Sequence, residues 1–320
     1  MTESYDKPLL GISSCLLGNE VRFDGGHKHS RYVTKQLGEH FDYRAYCPEV
    51  SIGLGIPRPP IRLMKRGEDT RAVKVDDNSV DYTDALAEVG RKAIPELSDF
   101  SGFILKKDSP SCGMERVKIY PQKPEAAPSR NGSGVFAKTI MEADPNLPVE
   151  EEGRLMDSIL RENFIVRVFT RFRWLNLKAN GLSPAGLIDF HSCHKFLLQS
   201  HHEATYRELG RLVADAGKGN IDQLAEEYIK LAMQALRHQS TRGTHSNVLL
   251  HLMGFLKTDL TRGDKQDLLS LIDDYRTGLV PLIVPITLLN YFLRRHPSPY
   301  IQQQVYLEPH PRELMLRNSL

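Results

Sequence analysis

The sequence is poor in cysteine, with four in 320 residues, at Cys15, Cys47, Cys112 and Cys193. Four thiols spread this widely exclude a secreted scaffold stapled by disulfides and leave reduced thiols or metal ligands as the expectation. Long apolar runs are missing too. None reaches membrane-spanning length, and the opening residues Met1 to Lys7 are polar, with no cationic start leading into an apolar stretch. The chain therefore reads as soluble and cytoplasmic, with no membrane partner. Net charge is almost absent, +2 from 42 basic and 40 acidic residues, so total charge says little about a polyanionic partner. Its layout says more: Arg161 to Lys178 and Arg294 to Arg295 are locally basic, whereas Asp76, Asp77, Asp81 and Asp84 form an acidic stretch. No repeat of solenoid period is present.

A chain of this length suggests two domains. In the first half, short apolar runs at Leu9 to Ile12, Phe41 to Tyr46 and Gly102 to Leu105 read as strands, and Tyr82 to Ile94 has helical spacing. That alternation predicts an α/β domain with a mainly parallel, Rossmann-like sheet over residues 1–160. Pro121 to Gly134 breaks every period and reads as a long exposed loop, followed by a helix at Val135 to Glu142 and a strand at Leu147 to Val149. From about Arg154 the spacing turns helical, with amphipathic stretches at Tyr206 to Ala214, Ile221 to Arg237, Val248 to Leu256, Lys265 to Tyr275 and Ile286 to Arg294. Residues 161–320 are predicted to form an all-α domain.

Cys15, Cys47 and Cys112 each lie just beyond an apolar run. If those runs are parallel strands, all three thiols sit past the carboxyl edge of one sheet, where α/β proteins build their sites. The alternative is three unrelated small core residues, since free cysteine is often simply buried. Against it, each cysteine stands among Gly, Pro or Ser typical of loops, as in Ser-Ser-Cys-Leu-Leu-Gly and Ser-Pro-Ser-Cys-Gly. Three thiolates can bind zinc with His27 or His29 as fourth ligand, or an iron–sulfur cluster that keeps one iron free. Spacing does not decide between these.

Ser13-Ser14-Cys15-Leu16-Leu17-Gly18, Arg22-Phe23-Asp24-Gly25, Cys47-Pro48-Glu49 and Ser109-Pro110-Ser111-Cys112-Gly113 resemble the motifs of the thiouracil desulfidase family. The match covers roughly residues 8 to 160. The second half resembles the YbgA-type helical domain through Asp189 to Phe196, His251-Leu252-Met253-Gly254 and Tyr275 to Leu282. A fusion of these two parts resembles the tRNA 4-thiouridine desulfidases.

The resemblance implies a [4Fe–4S] cluster held by Cys15, Cys47 and Cys112, with one iron left as a soft Lewis acid for a thiocarbonyl sulfur. It implies tRNA containing 4-thiouridine as substrate, or free thiouracil, and no obligate protein partner. Exchanging C=S for C=O leaves the carbon at one oxidation level, so no net electron transfer is needed. Glu49, two residues past Cys47 in a Pro-stiffened loop, is the expected proton-transfer group, and Ser109 the expected hydrogen-bond donor to the base or to developing charge. Ser13, Ser14, Asp24 and Gly25 are further candidates for contacts to cluster sulfurs or to the pyrimidine edge, although Asp24-Gly25-Gly26 is equally a turn signal.

In the helical half, Arg167, Arg171, Arg173 and Lys178 surround Phe169, Phe172 and Trp174, the mixture of cations and rings that RNA-binding surfaces use. Arg171 and Arg173 are the predicted tRNA contacts. The same pattern also fits an amphipathic helix with solvated arginines over an aromatic core. His191, Cys193, His194, His201 and His202 match no zinc-finger spacing, and Cys193 is expected to be no ligand. A third class of function, a non-catalytic iron–sulfur RNA-binding sensor, needs the cysteines but neither Glu49 nor Ser109.

Overall fold

A computed structural model describes residues 7–123 and 125–320; residues 1–6 of the polar opening, and Pro124 in the loop after Pro121, lie outside them. The chain divides into two compact units that part between Met156 and Asp157. In chain order the first carries β1 (Leu9–Ser13), β2 (Asp42–Tyr46), α1 (Pro48–Ser51), β3 (Ile61–Arg66), β4 (Asp69–Lys74), α2 (Thr83–Ala93), β5 (Gly102–Leu105), β6 (Val117–Tyr120), β7 (Ser129–Gly132), α3 (Val135–Ala143) and β8 (Val149–Glu151).

The main sheet has the order β2-β1-β5-β8 and is parallel throughout. Leu9 to Ser13 is buried at every position, as a central parallel strand covered on both faces must be. Gly11 is required there, because an added Cβ would lie 2.2 Å from the Phe103 ring on β5. Phe103 in turn packs with Tyr46, Phe100 and Phe136, which joins the sheet to α3.

A second sheet, β4-β3-β6-β7, is mixed: β3 runs antiparallel to β4 and parallel to β6, and β6 antiparallel to β7. It departs from the sequence reading, which placed no strands here and took Pro121 to Gly134 as one loop. Ser-Arg-Asn-Gly has little intrinsic strand preference, and becomes a strand only through its ladder with β6.

The second unit is helical, as expected: α4 (Ser158–Ala179), α5 (Pro184–His201), α6 (Glu203–Ala214), α7 (Ile221–Arg237), α8 (Arg242–Gly254), α9 (Arg262–Thr277), α10 (Ile283–Arg295) and α11 (Pro299–Gln302). Asp157 caps α4 by accepting from the amides of Ile159 and Leu160, and capping boxes at Thr241 and Thr261 start α8 and α9. Its core centres on Trp174, stacked on Tyr228 with ring centroids 5.8 Å apart and edge-on to Phe190. Among the described residues, no helix is long and apolar enough to cross a membrane.

Candidate active site

Parallel pairing brings the carboxyl ends of β1, β2 and β5 to one edge, and each end leads into a cysteine. Cys15 follows β1 on a 3₁₀ turn over Ser14–Leu17, Cys47 follows β2 directly, and Cys112 ends the loop after β5. All three line one cavity of about 300 Å³, together with Ser13, Ser14, Glu49, Ser109 and Ser111. None is in a disulfide.

Hydrogen bonds fix each loop. Ser13 Oγ accepts from the Lys106 amide at 3.0 Å, which ties the end of β1 to the end of β5. The Cys47 carbonyl accepts from both the amide and the hydroxyl of Ser51 at 3.0 Å, anchoring α1 behind the thiol. Ser109 Oγ accepts from the amides of Cys112 and Ser111, a hydroxyl-capped turn that presents Cys112. Behind that turn, the amides of Gly134, Val135 and Ala137 donate to the carbonyls of Gly113, Pro110 and Ser111. A Cβ at Gly134 would come within 2.5 Å of Ser111 backbone carbon, so only glycine permits this approach.

Glu49 is the best-tethered group in the cavity. Its Oε2 accepts from Arg58 Nε at 3.0 Å and Nη2 at 2.8 Å, and its Oε1 accepts from Ser111 Oγ at 2.7 Å. Ser111 Oγ lies 3.0 Å from Ser109 Oγ and 3.7 Å from Cys112 Sγ. One chain of hydrogen bonds thus runs from Ser109 through Ser111 and Glu49 to Arg58. Sequence reasoning missed Arg58 and Ser111. Arg58 stands nine residues from Glu49 among prolines with no periodicity to mark it, whereas Ser111 stood beside a cysteine in a quoted motif and was passed over for Ser109.

Burial pushes the Cys15 thiol up to about 11 and the Cys112 thiol up to about 12, and it raises Cys47 as well. Arg22 and Lys106 oppose this at Cys15, as hydrogen bonds from Ser13 and Ser111 do at Cys112. Buried thiols facing one cavity with cations nearby suit a group that binds thiolates and displaces their protons.

Residues 10–152 match the 2-thiouracil desulfurase family. Protein YbbK of Bacillus subtilis, uncharacterized, is 31% identical over 147 residues, which cover 44% of this chain and 95% of YbbK. The chain belongs to the 2-thiouracil desulfurase family. A solved structure, the [4Fe–4S]-dependent thiouracil desulfidase TudS, is 30% identical and aligns over 47% of this chain and 94% of its own, with a TM-score of 0.36. Residues 195–311 match a second family, the protein of unknown function DUF1722. Over 159 residues the chain is also 31% identical to the uncharacterized protein YbgA of Escherichia coli K12, covering 49% of this chain and 94% of YbgA.

Within the desulfurase-family unit, Asp24 and Gly25 belong to a turn and not to the cavity wall. Asp24 Oδ1 accepts from the Gly26 amide at 3.1 Å, and Gly25 has φ of 77°. Their neighbours Val21, Arg22 and Phe23 line the cavity instead. Lys28 lines it as well, but neither His27 nor His29 does, and His29 Nε2 sits 2.8 Å from Thr34 Oγ1. Among the described residues, no three of His, Cys, Asp and Glu gather as one metal ion requires. A single zinc draws its ligands to within about 2.0–2.3 Å of a point, whereas a cluster spreads its thiolates over separate irons.

In the DUF1722 unit the predicted RNA contacts are not on an open surface. Arg171 is buried on α4, and Arg173 donates to the Pro309 carbonyl at 2.9 Å and packs over Phe169. Burial depresses the Arg173 guanidinium to about 10. Trp174 is buried on this segment, but Arg171 is buried with it and Arg173 is bonded into the fold, so the arginines are not the solvated ones of the amphipathic alternative. The histidines are engaged locally: His194 Nδ1 with the Phe190 carbonyl, His201 Nδ1 with the His238 carbonyl, and His202 capping α6. Cys193 sits on α5, where its carbonyl accepts from the Val305 amide.

Proposed function

We propose that the protein removes sulfur from a thiolated uracil, 4-thiouridine in tRNA giving uridine, with a [4Fe–4S] cluster held by Cys15, Cys47 and Cys112. The observation that carries this reading is the convergence of three thiols from three strand ends on one cavity that also holds Glu49. The donor set suits such a group: soft sulfurs, buried or half-buried, free of disulfides, with no histidine among the described residues that line the cavity. With three protein thiolates, such a cluster leaves one iron open as a soft Lewis acid toward a thiocarbonyl sulfur.

The remaining steps belong to the chain. Glu49, oriented by Arg58 and Ser111, takes a proton from the water that attacks the ring carbon. The new C–O bond forms as the C–S bond breaks; the proton taken by Glu49 passes to the departing sulfur, and the second water proton is lost from the new hydroxyl as its C=O forms and completes the hydrogen sulfide. Thiouridine and water become uridine and hydrogen sulfide, with no electron gained or lost. Ser109 supports the reaction by holding the Cys112 turn and by donating toward Ser111. The cytoplasm, where thiols stay reduced, suits this chemistry.

A free thiouracil is the second reading, because the cavity beside Glu49 need admit only the thiolated base. The additional DUF1722 unit favours the macromolecule. The test is anaerobic incubation of the iron-loaded protein with thiolated tRNA and, separately, with free 4-thiouracil, followed by nucleoside and base analysis. Conversion of 4-thiouridine to uridine supports the proposal; turnover of the free base alone selects the second reading.

A further inference from the structure

The helical unit holds a cavity of its own, about 90 Å³, between one face of α10 and residues 307–318. Ile286, Asn290 and Arg294 supply the α10 wall, four residues apart as one stripe of a helix requires. The other segment adds Glu308, His310, Arg312 and Arg317. Three guanidiniums thus meet one carboxylate in the wall, and Arg312 Nε already lies 4.0 Å from that carboxylate, Glu308 Oε1.

Two of these side chains are deeply buried and incompletely bonded. Arg317 is 4% exposed; its Nη1 donates to the Tyr306 carbonyl and its guanidinium lies over the Tyr306 ring at 5.0 Å. Its Nε and Nη2 are buried without a hydrogen-bond partner among the described residues. Glu162 Oε1 is 3.9 Å from Nε, beyond hydrogen-bond reach, and burial raises the Glu162 carboxyl toward its neutral form. Nε and Nη2 form one edge of the guanidinium fork, the edge that takes two oxygens of one anion. His310 is 5% exposed, and its Nδ1 meets the Pro311 carbonyl at 3.1 Å, so Nδ1 carries the proton because a carbonyl only accepts. Burial, reinforced by Arg317, lowers this imidazole to about 3, which leaves Nε2 a bare acceptor at neutral pH. Nε2 is buried with no partner among the described residues. Buried donors and acceptors left unpaired are costly, and here an unpaired donor edge and an unpaired acceptor line the same cavity.

We propose that this cavity binds a small free anion that offers two oxygens to Arg317 and a hydroxyl to His310: an α-hydroxycarboxylate or inorganic hydrogen phosphate. The negative charge answers the excess of guanidinium in the wall, and the hydroxyl donates to Nε2. Sulfate and acetate, which carry no hydroxyl at neutral pH, satisfy the arginine edge but leave Nε2 unpaired. A cavity below the roughly 300–1,000 Å³ of drug-sized sites sets the ligand as a small one. The site needs nothing from the cysteine cavity and stands or falls apart from the proposed function.

The full chain is titrated by isothermal calorimetry at pH 7 and constant ionic strength with phosphate, lactate, sulfate and acetate. Saturable binding is expected for phosphate or lactate, about tenfold tighter than for sulfate or acetate respectively, and the one that binds assigns the source. Arg317→Lys keeps the charge but loses the fork, and should weaken binding about tenfold. Far-ultraviolet circular dichroism checks that this buried variant folds. Arg294→Gln/Arg312→Gln, at two exposed positions, is the second variant and should weaken binding about threefold. His310→Phe should erase the preference for the hydroxylated ion and leave affinity for its hydroxyl-free counterpart nearly unchanged. The proposal is overturned by the absence of saturable phosphate or lactate binding, by affinities unchanged in both arginine variants, or by equal affinity for ions with and without a hydroxyl. Displacement of the bound ion by an RNA oligonucleotide would put a macromolecule here and overturn the small-ligand assignment.

Discussion

Arg58 grips Glu49 with two donors on one carboxylate oxygen, Nε at 3.0 Å and Nη2 at 2.8 Å, and both side chains are largely buried. A fork of this kind fixes the plane of the carboxylate as well as its position. Arg58 is therefore a positioning residue. Arg58→Ala is expected to lower kcat roughly 10²-fold while iron content stays at the wild-type level, because the fork touches no cysteine sulfur. Arg58→Lys keeps the charge but not the fork, and should recover only part of the rate. Equal kcat for Arg58→Ala and wild type would remove Arg58 from the account.

Ser111 and Ser109 divide their work. Ser111 Oγ donates to Glu49, whereas Ser109 Oγ accepts from the amides of the Cys112 turn. Glu49→Ala and Ser111→Ala should keep the cluster absorbance and lose turnover by about 10²-fold. Ser109→Ala should lose turnover and also bind iron less tightly, since it leaves two amides of a ligand loop without their acceptor. Ultraviolet–visible spectra beside rate measurements separate the two; unchanged iron affinity in Ser109→Ala would confine Ser109 to the reaction.

Gly134 bears on the same loop from behind. Gly134→Ala drives a Cβ into the backbone of Ser111 and Cys112, neither of which can swing aside as a flexible side chain would. The expected cost is about 1–3 kcal/mol of stability, with weakened iron retention as the turn shifts. Denaturant unfolding and iron analysis check this, and a variant with wild-type midpoint and iron content would contradict it.

Much of this architecture is legible in the sequence where burial is complete. Leu9 to Ser13 and Gly102 to Leu105 are continuous apolar runs because both faces of those strands are covered, so their ends, and the cysteines past them, are marked. The second sheet is not marked in this way. Ile61–Arg66 and Asp69–Lys74 are part exposed and interrupted by charges, and Ser129–Gly132 takes its conformation from its partner strand. The Arg58–Glu49 pair depends on a loop between two elements, which no period encodes. Arg171 and Arg173 failed as surface residues for a related reason: α4 buries residues on most of its faces, so its cations point into packing as well as solvent.

The DUF1722 unit carries an acid-sensitive core. Burial lowers His191 and His201 to about 4 and His194 and His310 to about 3, and His245 falls well below its ordinary value. A base with a depressed folded pKa contributes stability that is present above the unfolded pKa of about 6.5 and lost as pH falls toward the folded value. Each such histidine costs roughly 1.4 kcal/mol per pH unit across that window. Glu162, raised by burial, acts in the opposite sense but is a single group. Unfolding followed by far-ultraviolet circular dichroism should show a marked fall in midpoint from pH 7 to pH 5, and little change from pH 7 to pH 8. A midpoint that holds steady down to pH 5 would contradict this.

The assignment of Cys15, Cys47 and Cys112 as the ligands of one cluster is tested most directly by iron and acid-labile sulfide per chain in the four single Cys→Ala variants after anaerobic reconstitution. The account predicts about four irons and four sulfides in wild type and in Cys193→Ala, and loss of both in the Cys15, Cys47 and Cys112 variants. Full iron in Cys112→Ala, or loss of iron in Cys193→Ala alone, would contradict it.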